Sequence, residues 1–261
     1  MTKKTFNKVI SIVNQKGGVG KTTSAINLAT ALSAVKKKVL VIDLDPQGNA
    51  STGLGVFLEN RKITIYDVIT SNTEIDKAII HTDIPNLHLI PSIVDLSAAE
   101  LELVNTPKRE YVLNSLLSKI KSQYHYIVID CPPSLGVLTV NALVASDSMI
   151  VPLQCEFFAL EGLSHLLKTA ALVQKRLNPN LEIEGVVLTM HDKRNKLTEQ
   201  IESDVRSCLG NLVYNTVIPR NVRISEAPSH GKPAIVYDLK CQGSLAYVHL
   251  AKEMLKREST K

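Results

Sequence analysis

The chain has no tryptophan, and aromatic residues make up only 4% of its 261 positions. A core without large rings has to be aliphatic. Short runs of Val, Ile, Leu and Ala suit a buried parallel sheet covered by helices. Cysteine is also scarce. Cys131, Cys155, Cys208 and Cys241 form no CxxC pair and no regular spacing. That argues against a disulfide scaffold and against structural zinc, and it reads as reduced thiols in a cytosolic protein. No stretch approaches the about 20 apolar residues that a membrane span needs. The first apolar run, Val9 to Val13, is too short for a signal-peptide core. Charge of neither sign dominates: 30 Lys and Arg stand against 25 Asp and Glu, a net of +5. That balance permits contact with nucleic acid or anionic lipid without requiring either. Only residues 1–8 precede the first run, too few for a helix-turn-helix, so site-specific operator binding is not expected.

What is present is a rhythm of apolar runs and helix-length amphipathic segments. Val9 to Val13 reads as a strand. Thr22 to Val35 reads as a helix with Ala25, Leu28, Ala29 and Leu32 at helical spacing. Strands follow at Val39 to Ile42, Leu87 to Ile90, Tyr126 to Ile129, Ser148 to Leu153, Ile183 to Thr189 and Leu212 to Ile218. Helices are expected over 63–70, 74–80, Asp95 to Val104, Pro107 to about 122, Ala159 to Leu177, 196–209 and Ser244 to Lys256. This alternation predicts an α/β fold: a doubly wound, mostly parallel sheet with helices on both faces. No repeat or linker breaks residues 1–261, so a single domain is expected. Ligands of such sheets sit beyond the carboxyl ends of the strands.

The first strand runs into Asn14-Gln15-Lys16-Gly17-Gly18-Val19-Gly20-Lys21-Thr22-Thr23, and a helix follows. That is the strand–loop–helix setting of a phosphate-binding loop. Glycines let backbone N–H groups converge on phosphate oxygens, and the helix N-terminus adds its positive end. Lys21 can reach the β- and γ-phosphates of ATP, and the Thr22 hydroxyl can ligate Mg2+. The strict GxxxxGK[ST] pattern fails, because Gln15 stands where its first Gly would fall, and Lys16 is an additional cation. Asp43, Asp45 and Asp130 follow buried strands, and carboxylates there suit a hard cation. Each taken alone also reads as a strand-end turn former.

KGGVGKTT resembles the deviant Walker A motif of the ParA/Soj–MinD ATPases, a P-loop NTPase family. The resemblance continues through Asp43-Leu44-Asp45-Pro46-Gln47-Gly48-Asn49-Ala50, Asp130-Cys131-Pro132-Pro133-Ser134 and Ile218-Pro219-Arg220-Asn221-Val222-Arg223-Ile224-Ser225-Glu226-Ala227-Pro228-Ser229-His230-Gly231-Lys232-Pro233. It spans nearly the whole chain and favours chromosomal ParA/Soj proteins over MinD. The resemblance implies an ATP- and Mg2+-dependent homodimer in which Lys16 reaches the partner's nucleotide. It implies that the loop Lys16 to Thr23 binds ATP and that Pro219, Arg220 and Asn221 wall the adenine. Asp130 is then the Walker B residue, Asp43 supports the metal shell and Asp45 positions the attacking water. Pro132-Pro133 reads as a second switch loop or as a rigid loop only.

Three uses of the ATP compete. In ParA/Soj partition, ATP-bound dimers bind double-stranded DNA without sequence preference, and a ParB-like centromere-binding protein stimulates slow hydrolysis and release. The resemblance nominates Arg194 and Arg223 as DNA contacts, with Lys193, Lys196 and Arg220 as helpers; any one of them also reads as an ordinary solvated cation. The protein is then cytoplasmic and nucleoid-associated, without a membrane partner. In a MinD-like protein the terminal amphipathic helix docks on membrane, but here it lacks Phe and Trp. A redox ATPase like the nitrogenase iron protein needs two suitable Cys thiolates per subunit, and no cysteine precedes Cys131. His191 and His230 are assigned no catalytic role.

Overall fold

The computed structural model describes residues 7–71 and 73–260. The expectation about the segment ahead of the first strand concerns mostly residues outside that set. Seven strands form one sheet: β1 (Lys8–Ile12), β2 (Val39–Asp43), β3 (Ile80–His81), β4 (Leu87–Ile90), β5 (Tyr126–Asp130), β6 (Ser148–Gln154) and β7 (Glu182–Thr189). Their order across the sheet is β3-β4-β2-β5-β1-β6-β7. All neighbours run parallel except the two-residue β3, which pairs antiparallel with β4.

The pleat sorts the strands' side chains into two cores. Leu40, Ile42, Ile127, Ile129, Met149 and Val151 face one core; Val39, Val41, Tyr126, Val128 and Ile150 face the other. Both faces are covered, so strands buried on both sides read as continuous apolar runs rather than alternating ones. The helices are α1 (Lys21–Ala34), α2 (Asn49–Gly53), α3 (Ile65–Thr70), α4 (Leu96–Glu102), α5 (Val112–Leu117), α6 (Val137–Ala145), α7 (Ala159–Arg176), α8 (Lys196–Leu209), α9 (Val222–Glu226), α10 (Ala234–Tyr237) and α11 (Gln242–Thr260). Residues of α1, α2 and α11 build the core on one face; those of α3 to α8 build the other.

Three sequence expectations need correction, and one helix lay outside them. The expected strand Leu212 to Ile218 is not a ladder. It meets β7 at an isolated bridge between Val186 and Val213, with the Tyr214 and Ile218 amides donating to the Val186 (2.9 Å) and Leu188 (2.8 Å) carbonyls, and a second bridge joins His191 to Pro219. The reason is a tertiary contact: the Glu253 carboxylate of α11 accepts the amides of Asn215 (2.8 Å) and Thr216 (2.9 Å), so those groups do not serve the sheet. The expected helix from Pro107 to about 122 is broken, because Lys108 adopts φ 54°, and only Val112–Leu117 is α-helical. Of the expected helix 74–80, Ile75–Ala78 forms a 3-10 turn and Ile80 already belongs to β3. Finally, α6 went unread, because seven of its nine residues are buried and no polar face marks a helical period.

The amphipathic α11 buries Ala246, Tyr247, Leu250, Ala251 and Met254, and it packs on α1. Its apolar face is therefore occupied within the fold. Among the described residues no helix is long and apolar enough to cross a membrane.

Glu253 anchors the bent segment through two amides, the Thr216 hydroxyl (2.7 Å) and Arg257 (2.9 Å). Hydrogen bonds to a charged group contribute about 1.5–3 kcal/mol. Glu253→Ala should lower unfolding stability by about 2 kcal/mol in urea titrations, with the far-UV spectrum unchanged.

Candidate functional site

Three strand ends stand level in the middle of the sheet. Asp130 closes β5 and lies in register with Ile12 of β1 on one side and Asp43 of β2 on the other. Period 2 places Asp43 and Asp130 on the α1 side, because Ile42 and Ile129 face the opposite core. Both carboxylates are fully buried. Their partners differ. Asp43 Oδ2 accepts the Ser51 amide and the Ser51 hydroxyl, each at 2.7 Å, and Oδ1 accepts the Asp45 amide at 3.3 Å. Neither oxygen of Asp130 has a completed hydrogen bond. Burial pushes the Asp43 carboxyl up to about 6, against the Ser51 and Asp45 hydrogen bonds that favour its charge. Burial, and then the charge of Asp43, raises Asp130 well above the usual carboxylate range; the Thr22 hydroxyl and Lys21 offset this in part. A buried, unpartnered carboxylate beside a second one is a costly arrangement that a divalent cation would relieve. The donor set of Asp130, Thr22 and, in a supporting place, Asp43 fits Mg2+.

The loop before α1 is a cradle of donors. Gly18 (φ 74°) and Gly20 (φ 86°) are left-handed, a conformation that a side chain resists. A Cβ added at Gly17 or Gly18 would meet nothing within 4 Å, so the space above them is open to a ligand. The first turn of α1 carries no side-chain cap and no acidic residue. Its leading N–H groups and its positive dipole end are therefore turned toward the loop. Lys21 is almost fully buried, and its Nζ donates to the Lys16 carbonyl across the loop at 2.9 Å. Burial lowers its pKa, and the nearby charges of Asp130 and Asp45 oppose that shift. The loop is braced at its base. Asn14 Nδ2 donates to the Pro152 carbonyl (2.7 Å), and the Thr189 hydroxyl donates to the Val19 carbonyl (2.8 Å). Gln15, the departure from the strict motif, donates to the Gly162 carbonyl at 3.3 Å and so ties the loop to α7.

Lys16 sits apart from this cluster. Its side chain is half exposed and pairs with Glu156 of the same chain. A surface pair of this kind contributes about 0–1 kcal/mol and exchanges readily for a better partner. Asp45 is buried, and its Oδ1 accepts the Gln47 amide at 3.0 Å, which shapes the turn between β2 and α2.

Pro219, Arg220 and Asn221 line a cavity of about 270 Å³ together with Gly20, Thr23, Thr189, Met190 and Tyr247. The cavity therefore opens directly from the phosphate loop. Its size suits an aromatic base, and its wall mixes apolar surface with backbone polar groups. Thr189, Met190 and Tyr247 escaped the sequence reading. The first two lie at a strand's carboxyl end, which was the available signal. Met190 holds φ 49°, uncommon for a residue with a side chain. A larger cavity of about 920 Å³ lies between β7, α8 and α11, away from this site. Both of its arginines are already engaged: Arg206 with Glu202 and the Tyr214 carbonyl, Arg257 with Glu253.

Arg194 and Arg223 lie outside the phosphate cradle, Arg194 on the connection after β7 and Arg223 in α9, and the His191–Pro219 bridge joins the segments that lead to them. Arg194 is highly exposed and forks onto Asp192, with both bonds at 3.0 Å. Arg223 is half exposed and pairs with Glu226 at 2.9 Å, with Asp238 3.7 Å away. His191 is buried against Glu202 at 2.6 Å, and His230 stacks on Tyr237. Both act in packing. All four cysteines are free thiols, and Cys131 and Cys155 are buried. Among the described residues no group of three or more His, Cys, Asp and Glu gathers into a metal-binding cluster.

Comparison with known proteins agrees with this geometry. A family model described as AAA domain matches residues 7–183. The chromosome partitioning protein ParA of Caulobacter vibrioides is 56% identical over 253 residues, covering 96% of this chain and 95% of that protein. The sporulation initiation inhibitor protein Soj of Bacillus subtilis is 52% identical, covering 95% and 98%. Among solved structures, cobyrinic acid a,c-diamide synthase of Mycobacterium smegmatis, with a bound ATP analogue and magnesium, superposes with a TM-score of 0.84 at 34% identity, covering 97% and 96%. With its closer likeness to partition proteins across almost the full chain, and with the phosphate cradle in place, the chain belongs to the ParA/Soj family of chromosome-partitioning proteins within the P-loop NTPase fold.

Proposed function

We propose that this chain is a single-domain partition ATPase. Its ATP-bound homodimer holds double-stranded DNA without sequence preference and releases it after hydrolysis. One observation carries the ATPase part of that reading. A helix N-terminus with uncapped amides, and a buried Lys21, face two level carboxylates, of which Asp130 has no completed hydrogen bond among the described residues. Such a site binds a triphosphate and a divalent cation together, and it neutralises charge where phosphoryl transfer develops it. Asp130, Thr22 and Asp43 would hold Mg2+, which screens the phosphate oxygens. The loop Lys16 to Thr23 takes the phosphates, and the cavity at Pro219, Arg220 and Asn221 takes the base. Asp45, buried on the turn after β2, orients the attacking water.

The dimer and the DNA belong to the resemblance and to two local features. Lys16 stands at the mouth of the cradle in a weak pair with Glu156, so it is free to reach a facing subunit. Arg194 and Arg223 follow within four residues of the two sides of the His191–Pro219 bridge, with Lys193 next to Arg194 and Lys196 opening α8. Their carboxylate neighbours Asp192, Glu226 and Asp238 reduce the local field in the monomer. DNA phosphates must outcompete these acids, which suits weak, salt-sensitive contact. A ParB-like centromere-binding protein is the expected stimulator, and the location is cytoplasmic and nucleoid-associated. The membrane-docking reading finds less support, because the apolar face of α11 is spent on α1 and the sheet.

Retention on DNA with ATP, ADP or no nucleotide, at two salt concentrations, tests the whole reading. ATP-dependent retention that falls steeply with salt is expected; equal retention in all three states overturns it. Lys21→Ala should reduce ATP turnover by about a hundredfold or more, since it removes the main charge on the phosphates, as measured by phosphate release. Asp45→Ala should bind ATP yet hydrolyse it poorly, and gel filtration with ATP should show a persistent dimer. Arg223→Ala should dimerise normally and lose gel retardation of DNA.

A further inference from the structure

The turn that carries Asp45 does not hold itself. It runs Asp45-Pro46-Gln47-Gly48 into α2, and its own bonds are the Gly48 amide to the Asp45 carbonyl (2.9 Å) and the Gln47 amide to the Asp45 carboxylate (3.0 Å). Behind it lies Arg61, on a connection that the sequence reading passed over. The guanidinium of Arg61 donates in three directions: Nε to the Val56 carbonyl (3.0 Å), Nη1 to the Ser92 carbonyl (2.9 Å) and Nη2 to the Thr52 hydroxyl (2.7 Å). Thr52 in turn donates its hydroxyl to the Gly48 carbonyl at 3.3 Å, and its amide to the same atom at 3.1 Å. A continuous chain of hydrogen bonds therefore runs from Arg61 through Thr52 and Gly48 to the backbone of Asp45.

A second branch reaches the carboxylate pair. The Ser92 amide donates to the Ser51 hydroxyl (3.1 Å), which donates to Asp43 (2.7 Å). Arg61 thus ties the segment after β4 to the last turn of α2, and through Thr52 and Gly48 to the turn after β2. Gly48 shows how close the clamp lies. A Cβ there would stand 2.2 Å from Arg61 Nη1 and 3.0 Å from the Ser92 carbonyl, and the residue holds φ 64°. Glycine is required at this point for the guanidinium to lie against the turn. Among the described residues Arg61 forms no ion pair with a carboxylate; its bonds go to neutral acceptors on α2, on the chain just past α2 and on the segment after β4. The planar five-donor fork of Arg suits that task, and the single ammonium of Lys does not.

We propose that Arg61 is a positioning residue for ATP hydrolysis, setting the Asp45–Gly48 turn so that the Asp45 carboxylate meets the attacking water. The inference rests on the role given to Asp45 above. A displacement of about 1 Å at a reacting centre can cost about a hundredfold in rate, so loss of the clamp should act on turnover and largely spare binding, whose phosphate contacts come from the loop before α1 and whose base contacts come from the cavity at Pro219, Arg220 and Asn221.

The test compares Arg61→Ala, Arg61→Lys and Asp45→Ala with the parent protein. Phosphate release gives kcat, and magnesium-dependent binding of a fluorescent ATP analogue gives affinity. Arg61→Ala and Arg61→Lys should each lower kcat by about tenfold or more, with affinity within about threefold of the parent. Millimolar guanidinium should restore much of the Arg61→Ala rate, and equal ammonium should not. Should Arg61→Ala fail to fold, Thr52→Val removes one bond of the clamp and should lower kcat severalfold at unchanged affinity. Parental kcat in Arg61→Lys and Thr52→Val beside an inactive Asp45→Ala overturns the clamp and leaves the reading of Asp45 standing. So does a joint fall of kcat and affinity without guanidinium rescue. Parental turnover in Asp45→Ala overturns the role of Asp45, and the clamp's purpose with it.

Discussion

Two carboxylates that face each other at the ends of adjacent parallel strands set the terms for the rest of this molecule. Asp43 and Asp130 are register partners, both fully buried and both on the α1 side of the sheet. Two such charges in a dry setting repel, and each resists ionisation. The surroundings answer in two ways. Asp43 is stabilised from within, by the amide and hydroxyl of Ser51 and the amide of Asp45. Asp130 is not, and it faces the lysine and the uncapped helix start that make the cradle. The asymmetry separates a carboxylate that shapes the turns from one reserved for an incoming cation.

That division explains how rigid and adjustable parts are placed. The base of the phosphate loop is held by Asn14, Gln15 and Thr189 to three different elements, so the cradle is preformed. The pieces that must respond to the nucleotide are held by fewer and more exposed contacts. Lys16 has one surface ion pair, and Arg194 and Arg223 rest on neighbouring acids. Between these extremes lies the turn of Asp45, buried but braced from behind by Arg61, Thr52 and Ser92. Each contact strength matches what the proposed cycle asks of its residue: permanence at the phosphates, exchange at the faces that meet other molecules.

The sheet accounts for the site's position as much as for stability. Because β5 lies between β2 and β1, three strands contribute their carboxyl ends to one small area. The crossover from β1 through α1 to β2 then lays a helix N-terminus over that area. The base cavity is completed from the far end of the chain, where the His191–Pro219 bridge draws the segment before α9 alongside β7.

By itself the amino-acid sequence determined the parallel sheet, the phosphate loop and the three acidic strand ends. These depend on short-range chemistry: apolar runs, glycines at left-handed positions, and polar residues just past strands. It also carried the departure at Gln15 and the spare Lys16, which separate this loop from the common pattern. Only the tertiary structure decided which carboxylate has completed hydrogen bonds and which has none, because that depends on Ser51 of α2 arriving at Asp43 and not at Asp130. The same holds for Arg61, whose three acceptors belong to segments up to 31 residues away, and for Glu253, which takes Asn215 and Thr216 out of the expected strand from 38 and 37 residues further along. Helix α6 was hidden for a different reason. Burial on nearly every side removes the polar face from which a helical period is read, and no local pattern can replace it.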